Sequence, residues 1–385
     1  MLTTLLLEEL QELQAKNLYR SLRSLEWAEG PRAILNGREI LLFCGNDYLG
    51  LSKHPRVVKA AQWALERYGV GSGSARLISG STALHQRLEE KLAEFKKKEK
   101  ALLFTTGYLA NVGILTALAG SNDLIVMDKL CHASIIDGAR LSGATLRVFP
   151  HKNYGKCEQI LRSGLHYKKK LIVTDTVFSM DGDVADLKRL VEIKEKYDSL
   201  LIVDDAHGTG VLGDQGRGAL ENLHLEARVD IIMGTLSKAL GCLGGFVAAD
   251  KVWIDYLINF SRPFIFATSL PPMICNAAIE ALQVLEEEPD IRHKLWANVN
   301  QAINLLKKNG LDIGSTESPI IPIQLGPEDT AVRLSNELLS RGILIPAIRY
   351  PAVPKHHARL RLTISATHKA HDIEHLAGTL RDLLH

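Results

Sequence analysis

Short apolar runs, each closed by a polar cluster, do most to limit the folds open to this chain. They are Ala101-Leu-Leu-Phe104, Leu124-Ile-Val-Met127, Leu171-Ile-Val173, Leu200-Leu-Ile-Val203, Ile231-Ile-Met233 and Gly245-Phe-Val-Ala248. None alternates apolar with polar residues, so none reads as a strand with one wet face. Continuous Val/Ile/Leu runs of this length are strands covered on both sides. Helical stretches such as 186–197 lie between most of them. The alternation predicts an α/β layer fold with a mostly parallel central sheet.

The pattern changes along the chain. Residues 1–50 carry leucines at helical spacing (Leu6, Leu10, Leu13) within 2–27, then Asn36-Gly37 between two short apolar segments. They predict an amphipathic helix, packed on the body or on a partner subunit, followed by a hairpin. Residues 51–255 hold the apolar runs and predict a large α/β domain. Beyond them, 256–385 predicts a smaller α+β domain. It has a helical region over 270–308 broken near Pro289, the strand Ile320-Ile-Pro-Ile-Gln324, a helix around 328–341, the segment Leu360–Ser365 and a last helix to His385. At 385 residues the chain exceeds what one compact core needs, which fits two lobes.

Composition excludes more than it selects. The net charge is +2, so the overall field favours neither nucleic acid nor an anionic membrane surface. The apolar start is too short and too soon acidic for a secretory signal, and no stretch approaches the roughly 20 apolar residues of a membrane helix. The 5 cysteines are scattered and never in a CxxC spacing. They predict reduced thiols in a cytoplasmic protein, with neither a disulfide framework nor a metal site.

Open α/β sheets bind ligands beyond the carboxyl ends of their strands, and the polar clusters stand there. They are Thr105-Thr-Gly-Tyr-Leu-Ala-Asn111, Asp128-Lys-Leu-Cys-His132, Thr174-Asp-Thr-Val-Phe-Ser-Met-Asp181, Asp204-Asp-Ala-His-Gly208 and Gly234-Thr-Leu-Ser-Lys238. Each has a plain reading. Thr106 can be a helix cap, though the amides of a helix start also bind phosphate. Asp204 can be a turn residue. His132 and His207 can be local hydrogen-bonders, and Lys238 a solvated lysine. In combination they meet the demands of pyridoxal phosphate (PLP). That cofactor needs a lysine for its Schiff base, a carboxylate to keep its pyridine nitrogen protonated, and a phosphate cup. Glycines in Ala239-Leu-Gly-Cys-Leu-Gly-Gly245 permit close backbone approach.

With these residues in view, the chain resembles the α-oxoamine synthase family of PLP enzymes over nearly its whole length. Its motifs are Asn46-Asp-Tyr-Leu-Gly-Leu51, Phe178-Ser-Met-Asp-Gly-Asp183, Asp204-Asp-Ala-His-Gly-Thr-Gly210, Gly234-Thr-Leu-Ser-Lys238 and Leu360-Arg-Leu-Thr-Ile-Ser-Ala-Thr-His368. The resemblance implies the aspartate-aminotransferase-like fold type I and a homodimer with shared sites. Gly71–Gly80, Leu84-His85 and Ile348–Pro354 resemble the branch that condenses L-alanine with a pimeloyl thioester in biotin synthesis. The thioester is that of coenzyme A or an acyl carrier protein.

The resemblance also implies roles. Lys238 is the Schiff-base lysine and the base, and His132 stacks on the ring and shares the proton transfers. Asp204 pairs with the ring nitrogen, while His207 and Ser179 bind the ring hydroxyl side. Gly107, Tyr108 and Thr235 hold the phosphate or its surroundings, and Thr268 reaches it from a partner subunit. Arg361 grips the amino-acid carboxylate, with Arg20 and Asn46 near the substrate. Ala352 stands where this branch often has a threonine touching substrate, so that contact is lost or passes to backbone. Other readings are a condensation of glycine with acetyl-CoA, a non-catalytic PLP-fold protein, and a nicotinamide oxidoreductase. The last lacks a GxGxxG after a first strand.

Overall fold

The computed structural model describes residues 2–16 and 18–384. The chain forms two compact units. The larger contains Asn46–Ser179 and Asp183–Lys294; the smaller contains the chain up to Gly45, Met180–Gly182 and the chain from Leu295.

The larger unit is built on a seven-stranded sheet. In spatial order its strands are Lys100–Phe104, Gly245–Ala249, Ile231–Thr235, Leu200–Asp204, Lys170–Asp175, Leu124–Asp128 and Thr145–Phe149. Gly245–Ala249 runs antiparallel to both neighbours, and the other pairings are parallel. Alternate residues of each strand enter different cores. Ile125, Met127, Leu171, Val173, Ile202 and Met233 pack on one side with helices Gly107–Leu118 and Ala133–Leu141. Leu124, Val126, Ile172, Leu201, Val203 and Ile232 pack on the other with Tyr154–Ser163 and Leu187–Lys196. Both faces are dry, which is why the runs carry no polar alternation. Thr145–Phe149 is the exception: it is an edge strand with an exposed Arg147 and Val148, and it lacks an uninterrupted apolar run.

Because these strands are parallel, Asp128, Asp175, Asp204 and Thr235 end on one edge. Asp175 and Asp204 are direct neighbours in the ladder. Gly245, in the reversed strand, lies opposite both Phe104 and Thr235. A Cβ there would sit 2.6 Å from the Cα and N of Gly107, so only glycine lets the reversed strand and this helix start approach so closely.

In the smaller unit, Leu25–Glu29, Arg32–Leu35 and Arg38–Leu42 form an antiparallel meander, extended in parallel by Ile343–Leu344. The turn between Arg32–Leu35 and Arg38–Leu42 has positive φ at both Asn36 and Gly37, as a type I′ hairpin requires. A second sheet has the order Ile320–Gly326, Ala358–Thr363, Ala347–Ile348. The helices Pro272–Glu287 and Asp290–Lys308 meet at Pro289, as expected.

The helix expected over 2–27 is shorter. It spans Leu2–Ala15 and buries no side chain within the chain. Leu25–Glu29 is a strand instead, with Leu25 opposite Leu35 and Trp27 opposite Ile34. An isolated helix of this length is marginal without an apolar contact, so strand pairing decides the later residues. Among the described residues, no helix is long and apolar enough to cross a membrane.

Replacing Gly245 with alanine forces its new methyl into the backbone of Gly107. We expect Gly245→Ala to lower the urea unfolding free energy by about 1–3 kcal/mol. An unchanged midpoint would show that the strand and helix start can separate freely.

Candidate functional site

The strand ends enclose a pocket in the larger unit. It is lined by Gly107, Tyr108, Asn111, His132, Ser134, Asp175, Asp204, Ala206, His207, Met233, Thr235 and Lys238. Asp204 is 5% exposed and has donors on both oxygens. Asn111 Nδ2 donates to its Oδ2 at 2.7 Å, and the Ala206 amide donates to its Oδ1 at 2.9 Å. Asn111 also donates to Ser134 Oγ at 2.9 Å. Ser134 Oγ lies 2.7 Å from His132 Nδ1, and the His132 amide donates to Asp175 Oδ2 at 2.9 Å. One network thus joins two strand ends and two helices.

The helix after Phe104 begins with Thr106 as cap, its Oγ1 accepting from the Leu109 amide at 3.1 Å. The amides of Gly107 and Tyr108 then have no acceptor inside the helix, and a helix start of this kind suits an anion. Thr235 stands beside this start, its Oγ1 3.6 Å from where a Cβ on Gly107 would lie. Thr235 Oγ1 donates to Gly244 O at 2.7 Å and accepts from the Ser237 amide at 3.1 Å. The Cys242 amide closes the loop by donating to Leu236 O at 2.8 Å. Lys238 projects from this closed loop and is half-buried. Gly241 has φ +65°, and a Cβ there would lie 2.2 Å from the Ser52 amide nitrogen. The lysine loop therefore rests on the turn that follows Asn46.

Burial is the main influence on the ionisable groups. It lowers the His132 pKa from its usual value; Asp204 opposes this and Lys238 adds to it. Burial pushes the Asp175 carboxyl well above the usual range, and the neighbouring Asp204 pushes it further. Among the described residues, no group of His, Cys, Asp and Glu is placed to hold a metal ion.

Of the residues singled out in the sequence, Gly107, Tyr108, His132, Asp204, His207, Thr235 and Lys238 line this pocket. Asn46 belongs to the same unit and joins it through Tyr48. The Tyr48 hydroxyl donates to Asn46 Oδ1 at 3.3 Å and lies 2.8 Å from His207 Nδ1. Thr268 is exposed, pairs by an isolated bridge with Ala75 and is not among the residues lining the pocket. Ser179 follows Phe178, whose amide donates to Asp183 O at 3.0 Å. That turn is tied down by His151, whose Nδ1 lies 3.0 Å from Asp128 Oδ1 and whose Nε2 lies 2.9 Å from Asp183 Oδ2. Arg361, Arg20 and Ala352 belong to the smaller unit. Arg361 is buried in the strand Ala358–Thr363, while Arg20 and Ala352 are exposed.

Sequence reasoning passed over Asn111, Ser134 and Tyr48. Asn111 stands one helical turn after Gly107, and Ser134 two residues after His132. That spacing from an assigned residue was the signal available.

Residues 38–380 match the family described as aminotransferase class I and II. An 8-amino-7-oxononanoate synthase from Citrifermentans bemidjiense is 47% identical over 378 residues, covering 98% of this chain and 97% of that protein. A solved serine palmitoyltransferase from S. paucimobilis, with a bound PLP–myriocin adduct, is 31% identical with a TM-score of 0.93, covering 98% of this chain and 96% of that one. A solved 8-amino-7-oxononanoate synthase from Francisella tularensis is 33% identical with a TM-score of 0.77, covering 90% of this chain and 98% of that one.

The His151 clasp has a pH signature. Burial lowers the His151 pKa, but Asp128 and Asp183 outweigh it and raise the group from 6.5 to about 9. A folded-state pKa above the unfolded one gives stability that is complete below the unfolded value and lost as pH rises through the folded value. Here the window runs from 6.5 to about 9. We expect the urea midpoint of the parent to exceed that of His151→Gln at about pH 6, and the gap to close by about pH 10. A gap independent of pH would contradict the clasp.

Proposed function

The chain belongs to the aminotransferase class I and II family, and on that premise we propose that it is a PLP-dependent acyltransferase of biotin synthesis. It condenses L-alanine with a pimeloyl thioester, of coenzyme A or a carrier protein, to 8-amino-7-oxononanoate, carbon dioxide and free thiol. One observation carries the reading: Lys238, Asp204 with one donor on each oxygen, and the open helix start at Gly107 line a single pocket.

The pocket's residues fit PLP. The amides of Gly107 and Tyr108, with Thr235, suit a phosphate. Asp204 suits the pyridine nitrogen, and Lys238 supplies the amine for covalent attachment. His207 and Ser179 serve the ring hydroxyl side, and Thr268 serves the phosphate from a partner subunit. When bound, PLP supplies an electron sink for a carbanion at the amino acid's α carbon.

The chain's own groups do the rest. The amino group of alanine would take the place of Lys238 on the cofactor, and the released Lys238 Nζ is then free to take the α proton, a step worth about 10²–10⁴-fold as general base catalysis. Asp204, its carboxylate oriented by Asn111 and Ala206, would pair with the ring nitrogen and favour its protonated form. His132, held by Ser134 and Asp175, would cover the ring face. Arg361 grips the alanine carboxylate through a planar two-pronged contact that lysine cannot reproduce. Asn46 and Arg20 would serve the substrate, and the contact absent at Ala352 is lost or made by backbone. The condensed β-keto acid loses carbon dioxide, and His132 or Lys238 returns the proton. The working form is a cytoplasmic homodimer.

Alanine is favoured over glycine because the relative that is 47% identical over 98% of this chain is named an 8-amino-7-oxononanoate synthase. The test is a product assay with alanine and pimeloyl-CoA, following carbon dioxide and free thiol. Both should appear with alanine, and Lys238→Ala should lower the rate by at least about 10²-fold. Turnover of glycine with acetyl-CoA but not of alanine would sink the reading, as would an undiminished Lys238→Ala.

A further inference from the structure

Lys96 is a buried cation that the chemistry above does not use. In sequence it opens Lys96-Lys-Lys-Glu-Lys100, a run that reads as a solvated charged surface. In the structure it is 1% exposed. It ends the helix Ala83–Phe95, and Lys97 then turns the chain with φ +50°. All three ammonium protons have acceptors. Nζ donates to Asp205 Oδ2 at 2.8 Å, to Thr209 Oγ1 at 2.7 Å and to the Arg217 carbonyl.

Asp205, also 1% exposed, is equally enclosed. Its Oδ1 accepts from Thr176 Oγ1 at 2.7 Å and from the Ala219 amide at 3.2 Å. The cage fits so closely that a Cβ on Gly208 or Gly218 would lie 2.1 or 1.8 Å from the carboxylate oxygens. Only glycine fits at either position while Asp205 is in place.

Asp205 is the residue between Asp204 and the turn to His207. Its carbonyl accepts from the amides of Gly208 and Thr209 at 3.1 and 2.8 Å, and its amide donates to Met233 O at 2.8 Å. Consecutive side chains at a strand end point to opposite faces. Asp204 therefore meets Asn111 and the pocket, while Asp205 meets Lys96 behind it. We infer that the Lys96–Asp205 ion pair is a positioning device that sets the Asp204–His207 turn at the angle the PLP ring needs. The inference rests on the proposed function. A buried ion pair adds little stability over an apolar substitute of similar volume, and the closely fitted cage around this one suits it to geometric specification.

The test uses the PLP-loaded full chain and the variants Lys96→Met/Asp205→Asn and Thr176→Val. The double variant removes both charges together and leaves neither buried alone. The measurements are thermal midpoint, visible-region circular dichroism of bound PLP, and kcat and KM for alanine. We expect the double variant to melt near the parent and still attach PLP to Lys238. Its visible dichroism should be diminished and its kcat about tenfold lower, with a much smaller change in KM. Thr176→Val, which keeps both charges, should shift the dichroism and kcat in the same direction by less, and it serves alone if the double variant does not fold. Parent-like dichroism and kcat in a folded variant overturn the inference and leave the function standing. No PLP signal from the parent overturns the functional reading, and this inference with it.

Discussion

A buried carboxylate with a donor on each oxygen is the interaction on which the larger unit depends. Burying an ionisable oxygen pair costs several kcal/mol unless hydrogen bonds replace water. At Asp204 the replacements are the Asn111 amide group and the Ala206 backbone. Asn111 belongs to the helix that begins at Gly107, so the side-chain donor to Asp204 and the uncapped amides of Gly107 and Tyr108 share one helix. The backbone donor belongs to the turn carrying His207. Displacing Asp204 would therefore disturb the helix start, the His207 turn and, through Ser134, His132 together.

The sheet makes that arrangement possible. Parallel strands deliver polar residues to one edge, and two dry faces keep the strands in register. The one reversed strand, Gly245–Ala249, brings the end of the lysine loop back against the Gly107 helix, and glycine at 245 lets the two backbones meet. The loop between is closed by Thr235, Ser237 and Gly244, so Lys238 extends from a rigid base. Lysine, carboxylate and anion site thus take their relative positions from neighbouring strands of one sheet.

Much of this was legible in the sequence. Long apolar runs identified the doubly covered strands, and residues that follow such strands face the binding edge. What escaped notice depended on partners remote in the chain. Thr145–Phe149 is half wet, so its apolar pattern is broken. Ile343–Leu344 is too short to register alone and is a strand only because Arg38–Leu42 lies beside it. Leu25–Glu29 carried helical spacing until pairing with Arg32–Leu35 overrode it. Asn111 and Ser134 resemble ordinary helix residues until Asp204 and His132 are placed next to them. Lys96 lay inside a charge run, and nothing local distinguishes it from Lys97 or Lys98. Its burial is set by Asp205, over a hundred positions away.

The central claim is that Lys238 is the group that bonds PLP, with Asp204 beneath the ring. Borohydride reduction of the PLP-loaded protein, followed by peptide mapping, tests it most directly, because reduction fixes the cofactor to whichever lysine holds it. The account predicts a single pyridoxyl-modified peptide carrying Lys238. Stoichiometric modification of any other lysine, with Lys238 unmodified, would contradict it.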